Sequence, residues 1–147
     1  MGQLEEKRQL EIDSLREKAN DYWDQDKRKY FNTILEAWNL YPDPKNNWHE
    51  AYSLAKEIFS AYMEEKNFDL AKEWLNQMID NNNNLHHSYE DCLFNSGKYR
   101  FCVKQFDEAL ANFKEVVKSA GYRYFDDEDP IYLDFYKNSQ KYMKAQI

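Results

Sequence analysis

The residues of this chain with the types to do chemistry are three histidines, two cysteines and one run of carboxylates. The histidines are His49, His86 and His87. Neighbouring residues of an α-helix point about 100° apart, so His86 and His87 cannot readily share one metal ion. Both lie near a predicted helix start, where exposed polar side chains are expected. We therefore predict no metal site and no cofactor.

The carboxylate run covers Asp126, Asp127, Glu128 and Asp129, directly before the last predicted helix. Carboxylates near a helix N-terminus are stabilised by the helix dipole. A calcium-binding loop would space its oxygen ligands as in Asp-x-Asp-x-Asp-Gly, and the run does not have that pattern. We interpret it as a solvated helix cap, with contact to a basic partner as the alternative.

The cysteines, Cys92 and Cys102, are ten residues apart in a segment predicted to be mostly one helix. That spacing is a poor disulfide geometry, so we expect reduced thiols and a cytoplasmic protein. A catalytic thiol needs a paired base in a cleft, and the sequence does not show one. Serine nucleophile elbows, phosphate-binding glycine loops and zinc-binding cysteine pairs are missing, so we expect no catalytic residue and no enzyme activity.

The composition indicates one soluble α-helical domain over residues 1–147. Hydrophobic residues make up 42% of the chain and charged residues 32%, which suits a folded soluble protein. Glycine and proline, which turns require, occur only three times each. No apolar run approaches the roughly 18 residues of a membrane-spanning helix. The net charge of −7 disfavours nucleic acid and anionic membranes as partners and favours a basic protein.

Apolar residues recur at helical spacing along the chain and predict about seven helices. These cover residues 3–23, 27–40, 48–65, 68–79, 85–101, 106–119 and 130–144. Asn46 and Asn47 are expected to cap the third helix, and residues 81–84 to form a polar loop. Gly121 is expected to stop the sixth helix, and the pair Asp129-Pro130 to begin the last one.

Two parts of the chain repeat each other at an offset of 38 residues. The sequence KNFDLA, which begins at Lys66, is echoed by KQFDEA, which begins at Lys104. At the same offset, the large apolar residue Leu75 corresponds to Phe113. The correspondence is one of position and size class, as expected for helix pairs that stack on their neighbours.

These residues resemble the tetratricopeptide repeat. The second helix of that repeat carries a small residue, an aromatic residue three positions before it and large apolar residues after it. Here Ala71 and Ala109 take the small position, with Phe68 and Phe106 before them, and Gly97 takes the family's packing-glycine position in the second copy. The resemblance implies stacked helical hairpins in an α–α superhelix. Its parts are N-terminal helices over 3–40, repeats over 48–80 and 85–119, and a capping helix over 130–144.

A wider set of residues resembles a group of single-domain bacterial tetratricopeptide-like proteins that are often encoded beside polymorphic toxins. This resemblance implies an immunity protein that neutralises a cognate toxin, with a basic toxin domain as its partner. The alternative is an adaptor or co-chaperone that holds a peptide in a concave groove. A third possibility is a small catalytic domain that uses the acidic run and a histidine. The set is Ala37-Trp38, Pro42-x-Pro44, Trp48, Phe68-x-x-Ala71, Gly97, Ala109, Gly121 and Glu128-Asp129-Pro130-x-Tyr132.

The first helix of each tetratricopeptide pair lines the concave surface, so the resemblance also implies a partner-binding face. Met63, Phe94 and Phe101 would be its apolar anchors, and residues 126–128 would contact a basic partner. Alternatively, the last helix fills the groove and closes it. Monomer and dimer both remain open. The predicted partner-binding residues are Ser53, Lys56, Ser60, Met63, Asp91, Phe94, Lys98, Phe101, Asp126, Asp127 and Glu128.

Overall fold

The computed structural model of the protein describes residues 3–144, which form helices joined by short turns and contain no β-strand. The predicted all-α fold is therefore confirmed. None of the described helices is long and apolar enough to cross a bilayer. Two 3-10 helices, Lys45–Asn47 and Arg123–Phe125, precede α3 and α7. The α-helices of these residues are α1 (Glu6–Tyr22), α2 (Lys27–Asn39), α3 (His49–Glu64), α4 (Phe68–Leu85), α5 (Tyr89–Cys102), α6 (Phe106–Ala120), α7 (Pro130–Lys137) and α8 (Ser139–Lys144).

The first six α-helices form three hairpins, α1–α2, α3–α4 and α5–α6, that stack in chain order. Helix α2 contacts α3, helix α4 contacts α5, and the pair α7 and α8 packs on α6. Each hairpin has one apolar side, and stacking removes that side from water. Side-chain hydrogen bonds also link the first helices of successive hairpins, because Arg16 of α1 donates to Glu57 of α3 and Lys56 of α3 donates to Asp91 of α5.

Small residues allow the closest helix contacts within these hairpins. Ala71 of α4 and Ala109 of α6 are fully buried. Gly97 of α5 packs against the ring of Phe113 of α6, and a Cβ atom at Gly97 would lie only 2.6 Å from Cε1 of that ring. The distance between α5 and α6 thus requires a residue without a side chain at position 97.

The core consists of two clusters of buried side chains. The first cluster contains residues of α1, α2, α3 and α4, together with Cys92 and Tyr99 of α5. The second cluster contains residues of α5 and α6, together with Phe125 and Phe135. Six aromatic residues of α3, α4 and α6 belong to these clusters or pack against them. Phe59, Tyr62 and Phe113 are buried, and Phe68, Trp74 and Phe106 are partly buried and pack against the clusters.

The asparagine residues around α3 and α4 do not take the predicted positions. Residues 81–84 continue α4 to Leu85, where a polar loop was predicted, and Asn81 and Asn82 are buried. The Asn81 amide donates to the backbone oxygen of Trp48, and Oδ1 of Asn82 accepts from the backbone N–H of Ser88. These hydrogen bonds satisfy the amides across elements, which makes the polar run compatible with a helix.

The predicted cap of α3 by Asn46 and Asn47 is also wrong. Both residues belong to the first 3-10 helix, and Trp48 precedes α3 without a side-chain cap. Their polar groups instead accept hydrogen bonds from the Asn84 side chain, at 3.0 Å each. The asparagines of the two segments therefore tie the start of α3 to the end of α4.

The two predicted helix boundaries near the C-terminus are confirmed. Gly121 ends α6 with a φ of +69°, and Asp129 caps α7 by accepting a hydrogen bond from the backbone N–H of Ile131. The single helix predicted over 130–144 is divided at Asn138, whose φ of −131° and ψ of 44° are not helical. This break gives one more α-helix than the sequence predicts.

Candidate functional site

Helices α1, α3 and α5 run in the same direction and form one side of the domain, here called the groove face. Successive positions of α1 meet successive positions of α3. Asp13 and Glu50 line one cleft, Arg16 donates to Glu57 further along, and Asn20 lines a second cleft with Ser60. Because neighbouring first helices are parallel, their side chains can form repeated contacts across this face.

An ion pair crosses each junction of the groove face, and this set is here called the ion-pair ladder. Arg16 links α1 to α3, and Lys56 links α3 to α5. Lys98 links α5 to the segment before α7. The side chains involved are between 13% and 41% exposed, so the pairs are partly shielded from water. The pairs are Arg16–Glu57 at 2.8 Å, Lys56–Asp91 at 2.8 Å and Lys98–Glu128 at 2.9 Å.

Four of the predicted partner-binding residues belong to this ladder. Lys56 and Asp91 contact each other, and so do Lys98 and Glu128. Since both members of each pair come from the predicted set, their charges orient the hairpins and are not presented singly to a partner. The members of these pairs are 35 and 30 residues apart in the chain, which is why residue spacing within one helix did not reveal them.

A buried hydroxyl extends the middle ion pair into the core. Tyr52 donates a hydrogen bond to the Asp91 carboxylate, and the Cys92 thiol contacts the Tyr52 hydroxyl at 3.6 Å. Burial, followed by the nearby Asp91 charge, raises the pKa of Tyr52 far above its usual value. Burial also raises the pKa of Cys92 to about 11. The thiol is therefore protonated at neutral pH, which does not suit a nucleophile.

The second cysteine, Cys102, is also a free thiol in contact with a tyrosine hydroxyl. The Cys102 thiol lies 3.7 Å from the Tyr132 hydroxyl, and burial raises the pKa of this thiol. Cys92 and Cys102 lie at opposite parts of α5, and both are free thiols.

The expectation that Phe94 is an exposed anchor is wrong. Phe94 is 2% exposed and packs against Phe113 and Phe125 in the core. Phe101 is partly buried, and its ring contacts those of Tyr132 and other aromatic residues of the C-terminal elements. The C-terminal helices cover this end of the groove face, as in the alternative in which the last helix fills the groove.

The remaining predicted residues are accessible. Ser53, Ser60, Asp126 and Asp127 are exposed, and Met63 is half-buried. Ser60 and Met63 line a cleft of about 220 Å³ between α3, α5 and the start of α7, here called the α3–α5 cleft. Its other lining residues are Phe59, Glu64, Lys98, Cys102, Glu128, Asp129 and Tyr132.

A larger cleft of about 510 Å³ lies at the opposite end of the groove face, between the starts of α1 and α3. We call it the α1–α3 cleft. Sequence reasoning missed it because the partner-binding positions were carried over only from the two repeat copies, which do not include α1. Its lining residues are Gln3, Leu4, Glu6, Gln9, Leu10, Asp13, His49 and Glu50.

The histidines contact each other in a way that the sequence did not reveal. His86 and His87 are both exposed, and the rings of His49 and His87 meet edge to face with centroids 4.3 Å apart. His87 lies in the turn between α4 and α5, so this contact joins that turn to the start of α3. Within residues 3–144, no group of three or more His, Cys, Asp or Glu side chains is arranged to hold a metal ion.

No family model, curated protein or solved structure matches this chain. The resemblance to tetratricopeptide proteins therefore depends on the residues quoted from the sequence. The site is defined by the groove face itself: an ion-pair ladder across its centre, aromatic residues that cover one end, and an open cleft at the other end.

Proposed function

We propose that this protein is a cytoplasmic, non-catalytic binding domain that captures a basic protein on its groove face. The observation that supports this proposal is the charge distribution of that face. Arg16, Lys56 and Lys98 are each held in an ion pair, whereas carboxylates line the α1–α3 cleft and the α3–α5 cleft. A partner that approaches this face meets mainly negative charge, which favours association with a basic surface.

The specific form we propose is an immunity protein that neutralises a bacterial toxin. Its support is the resemblance to tetratricopeptide-like proteins encoded beside toxins, together with the acidic groove face. Toxins that act on nucleic acid need a basic active site to bind phosphates. An acidic protein that covers such a site would block the substrate through both charge and bulk.

The alternative function, a peptide-holding adaptor, needs a groove that is open along both repeat copies. The C-terminal helices contact Phe101 and cover that end of the groove face. The α3–α5 cleft measures only about 220 Å³, which suits one or two side chains and not an extended peptide. This geometry favours capture of a folded partner over the adaptor function.

The test is co-expression of this chain with the product of the neighbouring gene. We expect the neighbour to be toxic alone, growth to be restored by this chain, and the two proteins to purify as one complex. The complex should dissociate more readily as salt concentration rises, because salt screens charges at the interface. A neighbour that is harmless and forms no complex would remove the immunity proposal.

A further inference from the structure

The α1–α3 cleft combines exposed apolar surface with a border of negative charge. Leu10 is 60% exposed, which makes it the most exposed large hydrophobic side chain among the described residues, and Leu4 beside it is half-buried. Three carboxylates, those of Glu6, Asp13 and Glu50, line the same cleft. Protein interfaces commonly have this arrangement of an apolar centre and a polar rim.

No lysine or arginine side chain among residues 3–144 lines this cleft. The nearby Arg8 guanidinium donates to the backbone oxygen of Leu40 at the end of α2. Its hydrogen bond is therefore directed to α2 and not to the carboxylates of the cleft. Arg16 is held by Glu57 further along α3. His49 is the remaining titratable side chain of the cleft, and its ring contacts His87. The cleft therefore presents carboxylates that neighbouring lysine and arginine side chains do not neutralise.

The position of Asp13 is set by a chain of hydrogen bonds from the core. Tyr41 is only 1% exposed, and its hydroxyl donates a hydrogen bond to Oε1 of Gln9 at 3.2 Å. The Gln9 amide then donates to Oδ1 of Asp13 at 2.9 Å. A carboxylate can accept several hydrogen bonds, so Asp13 can still bind a cationic donor from outside. Fixed geometry of this kind lowers the ordering cost of binding.

The spacing of the carboxylates indicates the shape of the partner segment. Glu6 and Asp13 are seven residues apart on α1, which corresponds to about 10 Å along the helix axis. A second helix lying along the cleft would meet them with two cations that are also seven residues apart, on one side of that helix. An apolar residue between these cations would lie over Leu10.

We propose that the α1–α3 cleft binds a basic amphipathic helix of the partner, with lysine or arginine residues seven positions apart on either side of an apolar residue. This inference rests on the proposed binding function and names the part of the partner that the cleft recognises. Helix-in-groove recognition uses this arrangement of anchors at helical spacing.

The direct test uses a labelled helical peptide of about 14 residues with two arginines seven positions apart and leucines between them. A second peptide of the same composition has its arginines on opposite sides. We expect only the first peptide to bind the full chain, and we expect its fluorescence anisotropy to rise on binding. Its binding should shift amide NMR signals of the first halves of α1 and α3. Equal binding of the two peptides, or no binding of either, would overturn the inference.

Two variants of the protein complete the test. The triple variant Glu6→Gln, Asp13→Asn, Glu50→Gln should weaken the first peptide about tenfold, the loss expected for three exposed charge contacts. Leu10→Ser, at an exposed position where folding is not at risk, should weaken it by a similar factor. The matched control is the triple variant of exposed residues on α2, α4 and α6, namely Glu36→Gln, Glu73→Gln and Glu108→Gln. An equal loss in the control would show attraction by net charge alone and overturn the inference.

The same variants separate the cleft from the wider function. If the co-expressed partner binds the wild type and the cleft triple variant equally well, the cleft inference fails and the binding function stands. If the arginine peptide binds the cleft as expected but no protein partner is captured, the cleft inference stands and the proposed function fails.

Discussion

Replacement of Gly97 by alanine should destabilise the domain, although alanine is the better helix former. In a helix interior alanine is favoured over glycine by about 1 kcal/mol. The added Cβ would lie 2.6 Å, 2.9 Å and 3.0 Å from three atoms of the Phe113 ring. Carbon atoms normally approach to about 3.5–4.0 Å, so the overlap is roughly 1 Å.

The ring of Phe113 cannot move away at low cost. It is fully buried and contacts the rings of Phe94, Phe125 and Phe135. Overpacking of a core costs about 1–3 kcal/mol, and a trapped ring belongs in the upper half of that range. After subtraction of the helix propensity gain, we expect Gly97→Ala to lower the free energy of unfolding by about 1–2 kcal/mol.

The assay is urea unfolding followed by far-UV circular dichroism, in two backgrounds. In the wild type, Gly97→Ala should lower the unfolding midpoint. In a Phe113→Leu background, which removes the ring, the same change should be neutral or stabilising because only the helix propensity gain remains. A gain in stability on Gly97→Ala in the wild type would refute the reasoning about close contact between α5 and α6.

Three further outcomes follow from the structure. Asn82→Ala should lower the free energy of unfolding by about 1 kcal/mol, because it removes a buried hydrogen bond, whereas the exposed Asn83→Ala should have little effect in the same thermal melt. Lys98→Met should cost about 1 kcal/mol by leaving Glu128 partly shielded without its cation, and adding Glu128→Gln should restore most of that loss in urea unfolding. Since folding raises the pKa of Cys92 from 9.0 to about 11, its contribution to stability is complete below pH 9 and is lost as pH rises toward 11. The unfolding free energy should therefore fall across this window, less steeply in Cys92→Ala, and an equally steep fall in that variant would contradict the assignment.

Local pattern was sufficient for the elements and for much of the core. The apolar spacing around Ala71 and Phe113 depends only on neighbours within one helix, so it predicted which side of α4 and α6 is buried. The caps at Gly121 and Asp129 were predictable for the same reason, because each involves backbone groups within a few residues.

Three of the failures involve partners that are distant in the chain. Asparagine is a common loop residue, but the Asn81 amide donates to the backbone oxygen of Trp48, 33 residues earlier. Lys98 pairs with Glu128, which is 30 residues away in the segment before α7. The spacing of residues within α5 therefore could not predict this ion pair. Phe94 was assigned to an open surface by register, and the C-terminal elements that cover it lie outside the repeat.

The ion-pair ladder has a consequence for how this protein can diversify. Lys56 and Asp91 depend on each other, so a change of charge at one position is tolerated best when the other changes with it. We therefore expect such positions to change together, because each pair holds two elements in register. Ser53 and Ser60 are exposed on the same face. Ser53 accepts a hydrogen bond from Arg16, whereas Ser60 belongs to none of the ion pairs of the ladder. If the groove face binds a partner as proposed, Ser60 and the rim of the α1–α3 cleft can change one residue at a time to fit a new partner, while the paired charges keep the surface beneath them unchanged.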